Sequence, residues 1–449
     1  MQISPVLPQA PEESSEGLTP KQQRSGMRAA YIGQAVGLPL VHVLFTSAIG
    51  TLLIKRLGGS DLQSLLLGSL LTGLYFLQLP TSILVPARWG KSFMLRTWMA
   101  CGVLIAGIAL VPSLMETGPA TVWVILVLAA GAAGLTMAGS TFWFPVLHDV
   151  VPAEQRGRFF GRLRAIWTAS VLGLTLAAGA ALGTDPEIWQ FQLVLAALLP
   201  LYWMRNVFLA RIATIPGSPS GQDDHREWKS HLRSLLGQRD VLAFVGYSAG
   251  VLFLAAFLAL PMVLYMKRMG FTPRDNVIVF SFTQAGMMLA YLLAGTLTDR
   301  VGTRRVLGMT NLGLSLVCFW IVAIGRTPPS IAKFLMPMAM LGSGSMVAMM
   351  GVASSAQLFH MAPQHGRAFF MCFCTVVTGT AAAASPLLIG VILDAMPAEW
   401  AWSIGALELD IFQVLIGAAG VALLGMLGLV RFVRDFRPHP DRAESGRQQ

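Results

Sequence analysis

The feature that most constrains this chain is a series of apolar segments, each long enough to cross a bilayer as an α-helix. A bilayer core requires about 20 consecutive apolar residues. Only 12% of the 449 residues are charged, against about 25% in an ordinary soluble domain. We therefore predict a polytopic membrane protein with twelve spans at residues 29–54, 62–86, 93–115, 119–147, 160–183, 188–210, 241–266, 275–297, 306–325, 332–358, 368–393 and 408–433.

The apolar segments are continuous, which distinguishes helices from strands. A transmembrane β-barrel requires alternating polar and apolar residues over segments of about ten. The predicted fold class is thus an all-α membrane protein with twelve transmembrane helices.

Lys and Arg residues predict the orientation, because cytoplasmic loops are enriched in both. With a cytoplasmic N-terminus, all but seven of the 32 Lys and Arg residues lie in cytoplasmic segments or at nearby helix ends. Both termini are therefore expected in the cytoplasm, with the chain in the plasma (inner) membrane. The loop 268–274 runs against this rule, and the seven outside cations are Lys55, Arg56, Lys267, Arg268, Arg274, Arg326 and Lys333.

A long polar break at residues 211–239 divides the spans into six and six. Its first part is a Gly, Pro and Ser linker. Its second part places Trp228, Leu232, Leu235 and Leu236 at helical spacing among charges, which predicts an amphipathic surface helix. The predicted units are a cytoplasmic tail 1–27, a six-helix bundle 28–210, the central loop 211–239, a second six-helix bundle 240–434 and a cytoplasmic tail 435–449.

Two sequence repeats relate the halves. The stretch "RGRFF" at 156–160 recurs as "HGRAFF" at 365–370, and Arg88–x–Gly90 recurs as Arg300–x–Gly302. The offsets, about 209 and 212 residues, are nearly equal. The second half is therefore a duplicate of the first, and an even number of spans per copy makes the repeat parallel, related by a pseudo-twofold axis.

The stretch "GTLTDRVGTRR" at 295–305 follows the eighth span, and the motif G-x-L-x-D-R-x-G-R-R matches it apart from Thr303. With twelve spans and a 6+6 repeat, the chain resembles the major facilitator superfamily over roughly residues 28–434. This resemblance implies alternating access of two bundles to a central site. The implied gating residues are Gly295, Asp299, Arg300, Gly302, Arg304 and Arg305.

The first-half copy of the motif consists of Arg88, Gly90 and Lys91, and it carries Ala87 where the second has Asp299. In the superfamily the first-half acid contacts the start of the eleventh helix, so the pseudo-twofold symmetry implies that Asp299 faces the start of the fifth. We therefore hypothesise an asymmetric cytoplasmic latch. Its acid is Asp299, and its partners are Arg156, Arg158 and Arg162 at the start of the fifth span.

Ionisable residues lie in tails, loops or the last turns of the predicted spans, which argues against a charged substrate. The exception is His42, beside Pro39, where a kink is expected. His42 either binds substrate or a proton, or is a neutral side chain bonded to a neighbouring helix. The other candidate cavity residues, which could equally join helices or, for Trp143, anchor at the interface, are Gln34, Trp143, Tyr247, Gln284, Tyr291 and Gln357.

The favoured function is a secondary transporter or facilitator for a small neutral, zwitterionic or apolar solute. A transporter-like receptor or scaffold is the alternative, and a membrane-embedded enzyme is less favoured because catalytic residues do not cluster. Expected partners are the solute and membrane lipid. The sequence leaves open whether a proton or another ion is coupled to transport. No nucleic acid, cofactor or metal is expected, because the basic residues form no face with stacking aromatics and the four cysteines lack ligand spacing. A monomer is expected.

Overall fold

The computed structural model describes residues 18–151, 156–214, 233, 235–361, 367–397, 400–404 and 407–433. Within these residues, twelve helical segments are long and apolar enough to span a membrane, which confirms the predicted number. Trp228 and Leu232 of the predicted amphipathic helix lie outside the described residues, as do residues 1–17 and 434–449.

The described residues of the first half form nine α-helices. They are α1 (Pro20–Phe45), α2 (Ala48–Arg56), α3 (Asp61–Gly73), α4 (Gln78–Leu84), α5 (Gly90–Leu114), α6 (Pro119–Ser140), α7 (Trp143–Val150), α8 (Arg156–Leu182) and α9 (Ile188–Ala210). Short 3₁₀ turns at Leu74–Leu77 and Ala87–Trp89 precede α4 and α5.

The second half repeats the order of the six spans, but its second and fourth spans are each one continuous helix. Its described helices are α10 (Arg239–Ala255), α11 (Leu260–Arg268), α12 (Pro273–Val301), α13 (Thr303–Ile324), α14 (Pro329–Met361), α15 (Arg367–Ala395) and α16 (Ile411–Val430). A 3₁₀ turn at Ala256–Leu258 separates α10 from α11.

The first helix begins earlier than the sequence predicts. Thr19 caps α1 at its N-terminus, and its side chain and that of Gln22 form a reciprocal capping box. Pro20 occupies the first helical position, where a missing N–H costs nothing. The predicted boundary at residue 28 therefore falls inside α1.

Spans one and seven are each broken into two helices. In the first half the break lies at Thr46 and Ser47, and Ser47 caps α2 by accepting a hydrogen bond from the N–H of Ile49 at 3.2 Å. The helix continues through Pro39, beside which a kink is predicted, and it ends only at Phe45. The break after Ala255 occupies the equivalent place in the second half, so the duplication is visible in the backbone.

A two-stranded antiparallel hairpin joins α15 to α16 and was not predicted. Strand β1 (Ala401–Ile404) pairs with β2 (Leu407–Asp410), with Trp402 opposite Leu409. Asp410 then caps α16 by accepting from the N–H of Gln413 at 2.7 Å. The membrane-spanning part is all-helical, and this hairpin lies in a connection between spans.

Glycines allow close helix approach within the second bundle. A Cβ at Gly344 on α14 would overlap the carbonyl of Thr283 on α12, and a Cβ at Gly286 would overlap the carbonyl of Leu341. Backbones that approach so closely gain van der Waals contact without needing a hydrophobic force between helices.

One end of the molecule is predicted to lie on the non-cytoplasmic side of the membrane, and we call it the distal end. It is formed by residues 57–60, 115–118, 183–187, 269–272 and 325–328. The two halves meet there. The N–H of Leu62 on α3 donates to Asp394 Oδ1 on α15 at 3.3 Å. A Cβ at Gly179 on α8 would lie 2.7 Å from Val277 on α12. The distal end is therefore closed in this conformation.

Candidate functional site: a polar seam and two gates

His42 lies one turn before the break in the first span. Its carbonyl accepts from the N–H groups of both Thr46 and Ser47 at 2.9 Å and from the Thr46 hydroxyl at 3.1 Å. These bonds satisfy the carbonyl where the regular helical ladder stops. The break therefore fixes the backbone that carries the imidazole.

The imidazole of His42 joins the two halves. Its Nδ1 lies 2.5 Å from Thr46 Oγ1, and its Nε2 lies 3.2 Å from Nε2 of Gln284 on α12. The geometry is satisfied by a neutral ring with its proton on Nδ1, donating to Thr46, while the Gln284 amide donates to Nε2. Gln284 Oε1 then has no hydrogen-bond partner among the described residues.

A second contact between the halves lies further along α12. The guanidinium of Arg164 on α8 is 5.6 Å from the ring centroid of Tyr291. Tyr291 follows Gln284 by seven residues, which places both on one helix face about two turns apart. We call His42, Thr46, Gln284, Tyr291 and Arg164 the polar seam.

Two other sequence candidates join helices within the second bundle. The Tyr247 hydroxyl donates to the carbonyl of Leu307 on α13 at 3.2 Å. Gln357 on α14 is fully buried and accepts a 2.6 Å hydrogen bond from Thr303, directly after Gly302. Both side chains therefore fit the interhelical alternative rather than a solute contact.

The remaining two candidates lie in the first half. Gln34 on α1 is buried, with its Oε1 unpartnered among the described residues. Trp143, at the start of α7, packs with its ring centroid 6.1 Å from that of Trp98 on α5. The structure thus brings His42, Gln284 and Tyr291 to the polar seam, whereas Gln34 is buried on α1 and Trp143 packs against Trp98 within the first half.

Arg205 on α9 is a buried cation that the sequence did not reveal. Only 3% of it is exposed, although the sequence suggested that all Lys and Arg residues are peripheral. Its guanidinium lies 3.6 Å from the ring centroid of Trp98 and 5.8 Å from that of Tyr202. Gly37 on α1 makes the space, because a Cβ there would overlap the arginine side chain. Cation–π contacts of this kind contribute about 0.5–2 kcal/mol.

The second-half hinge has the turn that its glycine predicts. Gly302 has φ 93° and ends α12, and its N–H donates to the carbonyl of Thr298 at 3.0 Å. Gly295 differs from the expected close approach: among the described residues, nothing lies within 4 Å of the position of its Cβ. Arg300 and Arg305 are exposed, and Arg304 is half-buried.

The first-half copy is built differently. Gly90 begins α5 and packs against the ring of Phe142, where a Cβ would overlap. The Lys91 ammonium donates to the carbonyls of Ala210, at 2.8 Å, and Ile212. It therefore satisfies carbonyls at the C-terminus of α9, where a cation is favourable. Arg88 is exposed, 5.2 Å from the ring centroid of Trp89.

The latch hypothesis concerns side chains that mostly lie outside the description. Those of Asp299, Arg156 and Arg158 are not described, and Arg162 is exposed on α8. The helices that carry them, α8 and α12, do pack against each other, as the Arg164 and Tyr291 contact shows. The asymmetric latch stays a prediction.

Comparison with solved structures identifies the fold. The structure superposes on a D-xylose–proton symporter with a TM-score of 0.67 at 14% identity, covering 92% of this chain and 98% of the other. The nucleoside transporter NupG gives 0.64 at 11% identity, with the same coverage of both chains. A bacterial metal transporter gives 0.57 at 14% identity, again covering 92% and 98%. A search of curated protein sequences finds no significant match.

The family model of the Major Facilitator Superfamily matches residues 29–291, which is more than half of the chain. Members of this family are transporters rather than enzymes. The twelve spans, the repeated broken helices and this match agree. The chain is an integral, multi-pass membrane protein that belongs to the major facilitator superfamily.

Proposed function

We propose that this protein is a secondary transporter or facilitator that moves a small neutral, zwitterionic or apolar solute by alternating access. The hydrogen bond between His42 and Gln284 carries the proposal, because it places polar groups of both halves together beside a helix break. Discontinuous helices at mid-membrane are where transporters of this architecture bind solute. We place the chain in the plasma (inner) membrane, with both termini cytoplasmic and as a monomer.

The closed distal end supports the alternating-access part. The contacts of Leu62 with Asp394 and of Gly179 with Val277 each join one half to the other. Rocking the halves to open the distal end must break both contacts. A closed distal end is what one of the two conformations of alternating access requires.

The seam chemistry supports the solute class. The groups at its centre are an imidazole, an amide with a free Oε1 acceptor and a hydroxyl. The described acidic residues lie in loops, at helix ends or in β2, and Arg205 is enclosed within the first bundle. The cation of the polar seam, Arg164, lies against Tyr291, about two turns along α12 from Gln284. A solute at His42 therefore meets hydrogen-bonding groups rather than paired charges. The structural neighbours differ in their solutes and share under 15% identity, so they support the fold alone.

The same pair offers a place for a coupling proton. A protonated imidazole donates from both nitrogens, so Gln284 must rotate its amide to present Oε1 to Nε2. Protonation would then reverse the direction of the hydrogen bond between the halves. This makes His42 the residue to test first for coupling.

The test is a thermal-shift screen of small solutes on the purified protein, followed by counterflow of any stabilising solute in proteoliposomes. His42→Gln and Gln284→Leu should each reduce counterflow, and His42→Gln should remove its pH dependence. Tyr247→Phe is the matched control, because it removes a hydroxyl bonded within the second bundle. A stabilising solute that shows no counterflow would favour the receptor or scaffold. Full, pH-dependent counterflow in His42→Gln would exclude His42 as the coupling residue.

A further inference from the structure

A small cavity opens at the distal end, between the two halves. Its volume is about 260 Å³, and it is lined by Lys55 and Asp61 of the first half and by Leu264, Lys267 and Arg268 of the second. It lies at the C-terminal ends of α2 and α11, the outer parts of the two broken spans. We call this cavity the distal cup.

The basic residues of the cup are a repeated motif. Lys55-Arg56-x-Gly58 recurs as Lys267-Arg268-x-Gly270, at the same 212-residue offset as the hinge motifs. Gly58 has φ 87° and Gly270 has φ 82°, so each ends its helix in the left-handed region that favours glycine. Both copies therefore bring a Lys-Arg pair to the same place in their half. Of these four cations, Lys55, Lys267 and Arg268 line the cup, whereas Arg56 pairs with Asp185 at 3.1 Å.

The next helix also begins alike in both copies. Ser60 caps α3 and Thr272 caps α12, each through a reciprocal capping box. The position that follows the cap is Asp61 in the first half and Pro273 in the second. The second half therefore lacks an acid at this position, and the acid in its first turn, Asp275, caps the helix and pairs with Lys333 at 2.8 Å.

That difference leaves the charges of the cup unbalanced. Asp61 Oδ1 lies 2.8 Å from Lys55 Nζ, which also donates to the Gly59 carbonyl at 3.1 Å. Among the described residues, Lys267 and Arg268 form no ion pair within 4.0 Å. Lys267 is close enough to Lys55 to be repelled by it and close enough to Asp61 to be attracted by it. The Arg268 guanidinium is held 4.8 Å from the ring centroid of Phe412. The cup thus has two cations without an acid.

Helix termini explain part of this pattern, because a cation near the C-terminus of a helix is favourable. They do not explain why cations from both halves line one cavity, where they repel each other. Orientation in the membrane does not explain it either, since Lys and Arg on the predicted outer face oppose the positive-inside rule. An anion between the cations accounts for both observations.

We propose that the distal cup binds an oxyanion, a carboxylate or phosphate group, at the place where the second half lacks the counterpart of Asp61. Lys267 and Arg268 hold it from the second half, and Lys55 faces it from the first. Charge-assisted bonds of this kind are short and strong, and an arginine can hold an oxyanion with two parallel bonds. Because the anion contacts both halves, it stabilises the conformation with the distal end closed. The site does not depend on whether the chain moves a solute.

Binding can be measured on the purified full-length protein with inorganic phosphate. Phosphate should raise the melting temperature by about 2 °C or more above sodium chloride of equal ionic strength. The double variant Lys267→Gln/Arg268→Gln should lose this rise. The matched control Arg274→Gln/Arg326→Gln removes two cations from the same end outside the cup, and it should keep the rise. A phosphate effect that is absent in the wild type, or equal in both double variants, would overturn the proposal.

Pro273→Asp tests the missing-acid argument directly. The new carboxylate takes the position that Asp61 has beside Lys55, so it should occupy the cup from within. The variant should melt higher than the wild type without phosphate and should gain less from phosphate. A phosphate rise as large as that of the wild type would contradict the argument, even in a variant that folds normally.

Two further arms identify the source of the anion and its effect on the gate. In phosphate-free nanodiscs, phosphatidylglycerol should replace the effect of phosphate if a lipid headgroup fills the cup, whereas phosphatidylcholine alone should require added phosphate if the anion is free.

The effect on the gate can be measured with Val277→Cys in a protein whose four native cysteines have been replaced. Val277 lies outside the cup, at the contact with Gly179, so the rate at which its thiol is modified measures distal opening. Phosphate should slow its modification in the wild type and not in Lys267→Gln/Arg268→Gln. Equal slowing in both proteins would overturn the link to closure.

Discussion

The carboxylate of Asp394, at the end of α15, accepts a hydrogen bond at 3.3 Å from the backbone N–H of Leu62, in the first turn of α3. The two residues belong to opposite halves. Near them, a Cβ at Gly390 would lie 2.8 Å from Leu62 Cα, so the helices touch along this edge. An acid at a helix N-terminus is favourable, which makes Asp394 a closing contact of the distal gate.

Replacing Asp394 with Ala removes this contact, and the distal end should open more often. A cysteine at Val277 should then be modified about two- to fivefold faster, since an acid at a helix N-terminus contributes about 0.3–1 kcal/mol. Asp185→Ala is the control, because Asp185 pairs with Arg56 within the first half, at 3.1 Å. Equal modification rates in both variants would show that Asp394 does not close the gate.

At the opposite end, Asp299→Asn should weaken the hypothesised latch with the arginines that begin α8. A cysteine at position 42 should become more accessible to a reagent added on the predicted cytoplasmic side. Arg88→Gln, in the copy without an acid, should change accessibility much less. The reverse ranking of the two variants would move the latch to the first half.

Gly302→Ala should destabilise the protein by about 1–2 kcal/mol, because φ at this position is 93° and a Cβ is strained there. Gly295→Ala lies in a helix with open space around its Cβ, and it should be neutral or slightly stabilising. The melting temperatures of the two variants provide the comparison. A loss of stability in Gly295→Ala as large as in Gly302→Ala would contradict the packing described.

Arg205→Lys should destabilise the first bundle by about 1 kcal/mol or more. An ammonium is more strongly hydrated than a guanidinium, and it cannot stack its plane on the Trp98 ring. The thermal unfolding of Arg205→Lys, measured beside that of the exposed Arg211→Lys, tests this expectation. If Arg205→Lys is as stable as the wild type, stacking on Trp98 contributes little.

Much of the fold follows from sequence because membrane spans require long apolar segments, and the repeat then relates the halves. The break at Thr46 and Ser47 was missed because Ser and Thr also occur inside membrane helices, where the hydroxyl bonds a carbonyl of the preceding turn. Pro39 was the more visible signal, yet α1 continues through it. The hairpin at 401–410 was missed because its strands have four residues each, too short for a periodic pattern.

The site was only partly predictable. His42 and Gln284 were each singled out as polar residues in apolar spans, but their contact joins positions 242 residues apart, which one sequence does not reveal. Arg205 was missed because it lies near the end of its span, where an arginine usually reaches the interface. Its burial depends on Gly37 and Trp98, which belong to two other helices.

The paired breaks in spans one and seven have a consequence for the shape of what the protein recognises. The 212-residue offset places Leu254 where the first half has His42, so the halves bend alike but present different chemistry. A solute held between them would meet His42 on α1 and the polar side chains of Gln284 and Tyr291 on α12, but hydrocarbon at Leu254 on α10. We therefore expect an amphipathic solute, polar along one edge and apolar along the other, which binds in a single orientation.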